Sequence, residues 1–173
     1  MVHLSALFVY FGFKNKAMAT TLKTGDIAPE FSGVDQNGKG VSLSGLRGRR
    51  VILYFYPKDN TSGCTAEACS LRDGYTDLAE MGFEIIGVSP DSAQSHLKFA
   101  QKHNLNFHLL PDTDKSILNA YGTWGEKKMY GRTSMGVIRT TFIIGADGRI
   151  EHVVGKVDTK NHAEQIKNLV AGK

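Results

Sequence analysis

Cys64 and Cys69 are the only two cysteines in the 173-residue chain, and they stand five positions apart. A single pair is too few for the disulfide scaffold of a secreted protein. In a reducing cytosol, paired cysteines are chiefly catalytic or redox-sensing. Sulfur redox chemistry is therefore the first chemistry to consider. Cys64 follows Tyr54-Phe-Tyr-Pro-Lys-Asp-Asn-Thr-Ser-Gly, a stretch in which an apolar run breaks at Pro57 and a helical pattern takes over near Cys64. The first N–H groups of a helix are unpaired and carry about half a positive charge, so a sulfur placed there is favoured as thiolate. Thr61 and Ser62 are of the residue types that cap such a start.

A free thiol titrates near pH 8.5, and bringing one to about 6 takes roughly 3.4 kcal/mol, whereas a helix terminus supplies about 0.3–1. A nearby cation is also required. Arg139 opens the apolar stretch Arg139-Thr-Thr-Phe-Ile-Ile144, which places it at the end of a strand. Its guanidinium is permanently charged and its fork can serve two partners at once. By spacing alone the plainer reading stands first, a strand-edge arginine facing solvent.

The elements that must position these residues follow from periodicity. Asn37-Gly38 between short extended stretches predicts a leading hairpin over 34–43. Val51 to Tyr56 is apolar without strict alternation, as a central strand buried on both faces would be, with Tyr54, Phe55 and Tyr56 mainly core. Ala68, Leu71, Tyr75, Leu78 and Ala79 recur at helical spacing and predict one helix over 64–81, stopped by Gly82. Beyond it come a strand over 83–88, a helix over 92–103, a strand over 107–110 and a helix over 114–121. A polar loop is expected over 122–136, then strands over 139–144 and 149–154 around Asp147-Gly148, and a final helix over 159–170. This order predicts an α/β chain with a mixed sheet flanked by helices, and a thioredoxin-like fold fits it. One domain over 20–173 is expected. Leu4 to Phe13 is half the length a membrane helix needs, and the lysines follow that run rather than precede it as in a secretory signal. Residues 1–19 are read as an extension, disordered or arising from an upstream start, with Met18 a second plausible beginning.

The segment Pro57-x-x-x-Thr61-x-x-Cys64 resembles the active-site signature of the peroxiredoxins. Cys69, together with Tyr54-Phe-Tyr-Pro-Lys-Asp59 and Trp124-Gly-Glu-Lys-Lys-Met-Tyr-Gly131, is similar to the bacterioferritin comigratory protein subfamily, also called peroxiredoxin Q. The likeness spans about residues 22–170. It implies a thiol peroxidase that reduces hydrogen peroxide and organic hydroperoxides through a Cys64 sulfenic acid. Cys69 would resolve that acid as an intramolecular disulfide, and thioredoxin or a similar thiol would reduce it. It makes Arg139 the active-site arginine. Thr61 and the backbone near Gly63 would join Arg139 in holding the peroxide oxygens, and Pro57 would shape the pocket and shield the thiolate. Glu67 has a counterpart in the family signature. It reads equally as an arginine-orienting group and as an acid favourable to the helix dipole. One departure is visible: subfamily members commonly carry proline where this chain has Ser62, and a more flexible loop is the expected consequence.

If both cysteines stay helical, they lie about 140° apart around the axis at ~1.5 Å rise per residue, too far for a disulfide. The helix start must therefore unwind on oxidation. No metal, haem or flavin is implied, and the histidines at 3, 96, 103, 108, 152 and 162 show no close ligand pattern. His103 and His108 are read as surface residues near a helix end. Trp124, Met129 and Tyr130 read as pocket lining, a reductant contact or a local packing cluster. The net charge of +4, concentrated in the first third without interleaved aromatics, speaks against nucleic-acid binding. A cytoplasmic protein is expected, and a monomer, since both cysteines share one helix. Two rivals remain. A general thiol-disulfide oxidoreductase would carry Cys-x-x-Cys at this position, and a non-enzymatic chaperone or redox sensor would leave peroxide consumption unchanged in Cys64→Ser while still suppressing client aggregation.

Overall fold

Strand β3 (Arg50–Phe55) is the centre of the molecule. Val51, Leu53 and Phe55 enter one hydrophobic core while Ile52 and Tyr54, continued by Tyr56, enter another, and all six are buried. Burying each such side chain contributes about 1.5–3 kcal/mol, so a run apolar at every position is fixed between two layers. The computed structural model describes residues 20–172; the expected extension over 1–19 lies outside the described residues.

The main sheet has the order β5-β4-β3-β8-β9. Strands β4 (Phe83–Ser89) and β5 (His108–Pro111) run parallel to β3, whereas β8 (Thr140–Ile144) is antiparallel to β3 and β9 (Ile150–Val154) is antiparallel to β8. The second core packs α1 (Ser62–Asp73), α2 (Tyr75–Glu80), α3 (Ala93–His103) and α5 (His162–Val170) on one face. The other face carries α4 (Ser116–Ala120) and the hairpin β1–β2 (Ser32–Val34, Gly40–Ser42). The mixed α/β, thioredoxin-like arrangement thus holds.

Several boundaries differ from the sequence reading. The leading hairpin is present, but Asn37-Gly38 sits in a five-residue loop. Asp35 Oδ1 organises it by accepting the N–H groups of Asn37 and Lys39, each at 2.9 Å. The single helix expected over 64–81 is two helices that meet at Gly74. A Cβ on Gly74 would lie 2.5 Å from Ala163 Cβ, so α5 crosses there at a separation only glycine permits. The polar loop expected over 122–136 is a second hairpin, β6 (Trp124–Met129) and β7 (Arg132–Val137). Its two-residue turn, Tyr130-Gly131, has φ of 53° and 74°, the backbone of a type I′ turn. Most of this hairpin is exposed on both faces, so no apolar alternation betrayed it.

Candidate active site

The C-terminal end of β3 leads through Pro57–Thr61 into α1, and Cys64 is the third residue of that helix. Its side chain is 1% exposed and its sulfur is free. Thr61 occupies the N-cap position, but its hydroxyl donates to Lys58 O at 2.8 Å and caps nothing. Ser62 is the first helical residue, the position where proline is most favoured. The helix start is left open towards the sulfur.

Arg139 immediately precedes β8, beside β3 in the sheet, and this adjacency carries its guanidinium across to α1. Nη2 donates to Cys64 Sγ at 3.3 Å and Nη1 donates to Glu67 Oε2 at 2.5 Å. A Cβ on Gly63 would lie 3.3 Å from Arg139 Nη2, so the glycine leaves the guanidinium its place over the helix start. The fork is thus engaged with both groups rather than with solvent. Glu67 is fully buried, and burial pushes its carboxyl up to about 7 against the opposing pull of Arg139. Pro57 is half-buried at the end of β3.

Cys69 lies farther along the same helix, half-buried and free. Its Sγ is 4.0 Å from Nδ1 of His103, which burial and the charges of Lys102 and Arg72 hold below the ordinary histidine range. The surface reading of His103 is corrected accordingly: the end of α3 meets the second cysteine. His108 is also not a free surface group. It is the first residue of β5 and its Nδ1 pairs with buried Asp35 Oδ2 at 2.8 Å.

Three further groups escaped the sequence reading. Asp59, in the loop before Cys64, is buried and accepts from Tyr56 Oη, Ser95 Oγ and His96 Nδ1, each at 2.7 Å, while its own N–H donates to Asp91 Oδ2. Burial alone would raise this carboxyl, but these hydrogen bonds outweigh it. Asp59, Asp91 and His96 stand close enough to suit a cation. The partners just named use those atoms to anchor the active-site loop to α3. Lys127 on β6 lies with its stem over Gly136. Burial and the Arg139 charge lower its ammonium pKa, while Cys64 acts in the opposite direction. His162, the first residue of α5, is fully buried with Nε2 3.7 Å from Glu67 Oε1. Asp59 and Lys127 fall within the two stretches that carry the family likeness, but the contacts of all three depend on where a distant element packs. Of the loop aromatics, Trp124 packs against the first core, with Lys115 Nζ 5.0 Å from its ring. Met129 and Tyr130 are exposed at the hairpin turn.

A thioredoxin-like sheet that presents a buried cysteine at a helix start, bridged by arginine to a carboxyl, defines a thiol-based redox enzyme. Residues 24–153 match the model of the AhpC/TSA family, and the chain belongs to that family. It is a peroxiredoxin, a thiol peroxidase. Peroxiredoxin Bcp of Escherichia coli K12 is 46% identical over 147 residues, covering 85% of this chain and 94% of that protein. Peroxiredoxin Bcp of Bacillus subtilis is 44% identical over 150 residues, 86% and 96% of the two chains. A solved structure of Xanthomonas campestris bacterioferritin comigratory protein, described for its alkyl peroxide reduction activity, superposes with a TM-score of 0.79 at 29% identity. It covers 88% of this chain and 98% of that one. Among the described residues, no helix is long and apolar enough to cross a membrane.

Proposed function

We propose that Cys64 is the nucleophile that reduces hydrogen peroxide and alkyl hydroperoxides, and that Cys69 resolves the resulting sulfenic acid. The observation that carries this reading is the Arg139 fork, with one nitrogen on Cys64 Sγ and the other on Glu67. A thiolate gains a charge-assisted contact there. The same guanidinium, with the open N–H groups near Gly63, faces the charge that develops on the departing oxygen. The Thr61 hydroxyl stands at the mouth of this helix start and, turned from Lys58 O, supplies another donor. Pro57 walls the pocket. Alkyl substrates are supported by the activity described for the Xanthomonas protein.

The resolving step needs local unwinding. Cys64 and Cys69 are free within one continuous helix, where five residues separate them by about 7.5 Å along the axis. Both cysteines belong to one helix, so a monomer suffices. The disulfide once formed is open to thioredoxin or a similar cytoplasmic thiol. A general disulfide oxidoreductase fits less well, because a sulfur only 1% exposed admits a small peroxide but not a protein disulfide.

The test is a hydroperoxide assay coupled to thioredoxin and its reductase. Cys64→Ser should abolish peroxide consumption. Cys69→Ser should allow one turnover and then stop. Undiminished consumption by the Cys64→Ser protein would overturn the assignment.

A further inference from the structure

Arg139 is one permanent positive charge set between two groups that can each be an anion, Cys64 Sγ and Glu67 Oε2. In a pocket this dry, one cation does not balance two anions, and a buried acid left over holds its proton instead. The structure shows which group does so. Glu67 Oε2 accepts from Arg139, but Oε1 is buried without a hydrogen-bond partner, and the group across from it is His162 Nε2 at 3.7 Å.

The proton on His162 can be located from its neighbours. Gln165 Oε1 accepts the Asp158 N–H at 2.9 Å while Gln165 Nε2 donates to Lys156 O at 2.8 Å, so backbone groups fix both ends of the amide. Oε1 is therefore the atom that faces His162 Nδ1 at 2.9 Å, and Nδ1 carries the hydrogen. Burial, reinforced by the Arg139 charge, keeps this imidazole neutral by lowering it to about 4. Nε2 is left with a lone pair, which receives the Thr141 hydroxyl at 2.8 Å. Glu67 Oε1 thus meets a lone pair and no N–H. An ionised oxygen there would be buried with no donor to stabilise its charge, a cost that the protonated acid does not carry. The other charged or titratable groups near it are few: Cys64 on its own helix, the buried Tyr54 phenol on β3, and Lys127, whose charge reaches the Arg139 end of the pocket.

We propose that Glu67 is a proton store coupled to the state of Cys64, protonated while the sulfur is a thiolate and ionised once the sulfur is a sulfenic acid. This rests on Cys64 being the peroxide-reducing thiolate. In the step itself the thiolate lone pair forms the S–O bond and the O–O bond breaks. Sulfur is oxidised by two electrons, the OH stays on sulfur, and the leaving alkoxide takes one proton. Glu67 gives up one proton to solvent in the same step. The sum is Cys64-S⁻ plus ROOH plus Glu67-COOH giving Cys64-SOH plus ROH plus Glu67-COO⁻. The charge facing Arg139 is unchanged, and the guanidinium passes from serving the thiolate to serving the carboxylate. Glu67 touches no peroxide and acts through Arg139, which makes it a positioning residue.

Infrared difference spectra between reduced and peroxide-oxidised protein test this, using the Cys69→Ser chain so that oxidation stops at the sulfenic acid with the helix intact. Just below neutral pH, oxidation should remove the carbonyl stretch of one protonated carboxyl for each sulfenic acid and add carboxylate bands. The lost band should move with ¹³C-labelled glutamate and be missing in Glu67→Gln. Thr141→Val frees the His162 lone pair for the Glu67 hydrogen and should shift the band to lower frequency. That variant keeps the assignment open to refutation if Glu67→Gln does not fold. Sulfenic acid trapped by dimedone without loss of a carboxyl band, or a band unmoved by the label and by Thr141→Val, would overturn the proton store alone. Absence of any sulfenic acid in the Cys69→Ser protein would instead remove the role of Cys64, and this proposal with it.

Discussion

Glu67 and His162 should have opposite effects on stability that nearly cancel in the intact protein, and single substitutions should separate them. Burial raises Glu67 from 4.5 in the unfolded chain to about 7, and lowers His162 from 6.5 to about 4. Between about pH 4.5 and 6.5 the folded pair holds one proton, on Glu67, and the unfolded pair also holds one, on His162. Stability follows the difference in bound protons, so this pair contributes almost no slope in that window. In Glu67→Gln only the histidine remains. Its depressed pKa gives stability that is present above 6.5 and lost as pH falls towards 4. In His162→Gln only the carboxyl remains. Its raised pKa gives stability that is present below 4.5 and lost as pH rises through 7. Each span is worth about 3 kcal/mol at roughly 1.36 kcal/mol per pH unit. Both side chains are fully buried, so little of this is screened by solvent. Urea unfolding of the reduced proteins across this range, expressed as differences from wild type, removes the other titrating groups. Relative to wild type, Glu67→Gln should gain stability with rising pH and His162→Gln should lose it. Slopes of the same sign, or two profiles parallel to wild type, would mean that the folded pair does not hold its proton on Glu67.

Three other outcomes are expected. Arg139→Lys keeps the charge but cannot reach Cys64 and Glu67 with separate nitrogens. Losing one charge-assisted hydrogen bond of about 1.5–3 kcal/mol should slow sulfenic acid formation about 10- to 100-fold in stopped-flow measurements. Gly74→Ala restricts the unfolded chain, a gain of about 0.4–1 kcal/mol, but forces a methyl to within 2.5 Å of Ala163 Cβ. The overpacking cost of about 1–3 kcal/mol should prevail and lower the thermal midpoint. Amide hydrogen exchange over residues 62–70 should quicken in the disulfide form of the wild type and stay slow in peroxide-treated Cys69→Ser. The segment from Leu71 onward, held in the second core, should keep its protection in both.

The features legible in the amino-acid order lie within short stretches of chain. Val51 to Tyr56 specifies a strand buried on both faces, because every side chain in it must leave water and the pleat sends alternate ones to opposite layers. Pro57 to Cys69 specifies a break, a helix start and two sulfurs on one helix, since turn chemistry and a 3.6-residue period are local properties. Arg139 stood between. The energy of holding a thiolate demanded a cation, and likeness to a family pointed to this one, but only the pairing of β8 with β3 brought it to Cys64. The hairpin over 124–137 was hidden because strands wet on both faces carry no apolar alternation. His103 beside Cys69, Asp59 beneath the loop and His162 across from Glu67 were set by tertiary structure alone. Each contact joins positions more than 30 residues apart, and only the packing of α3 and α5 around α1 and the loop before it decides which histidine meets a cysteine and which is buried against an acid.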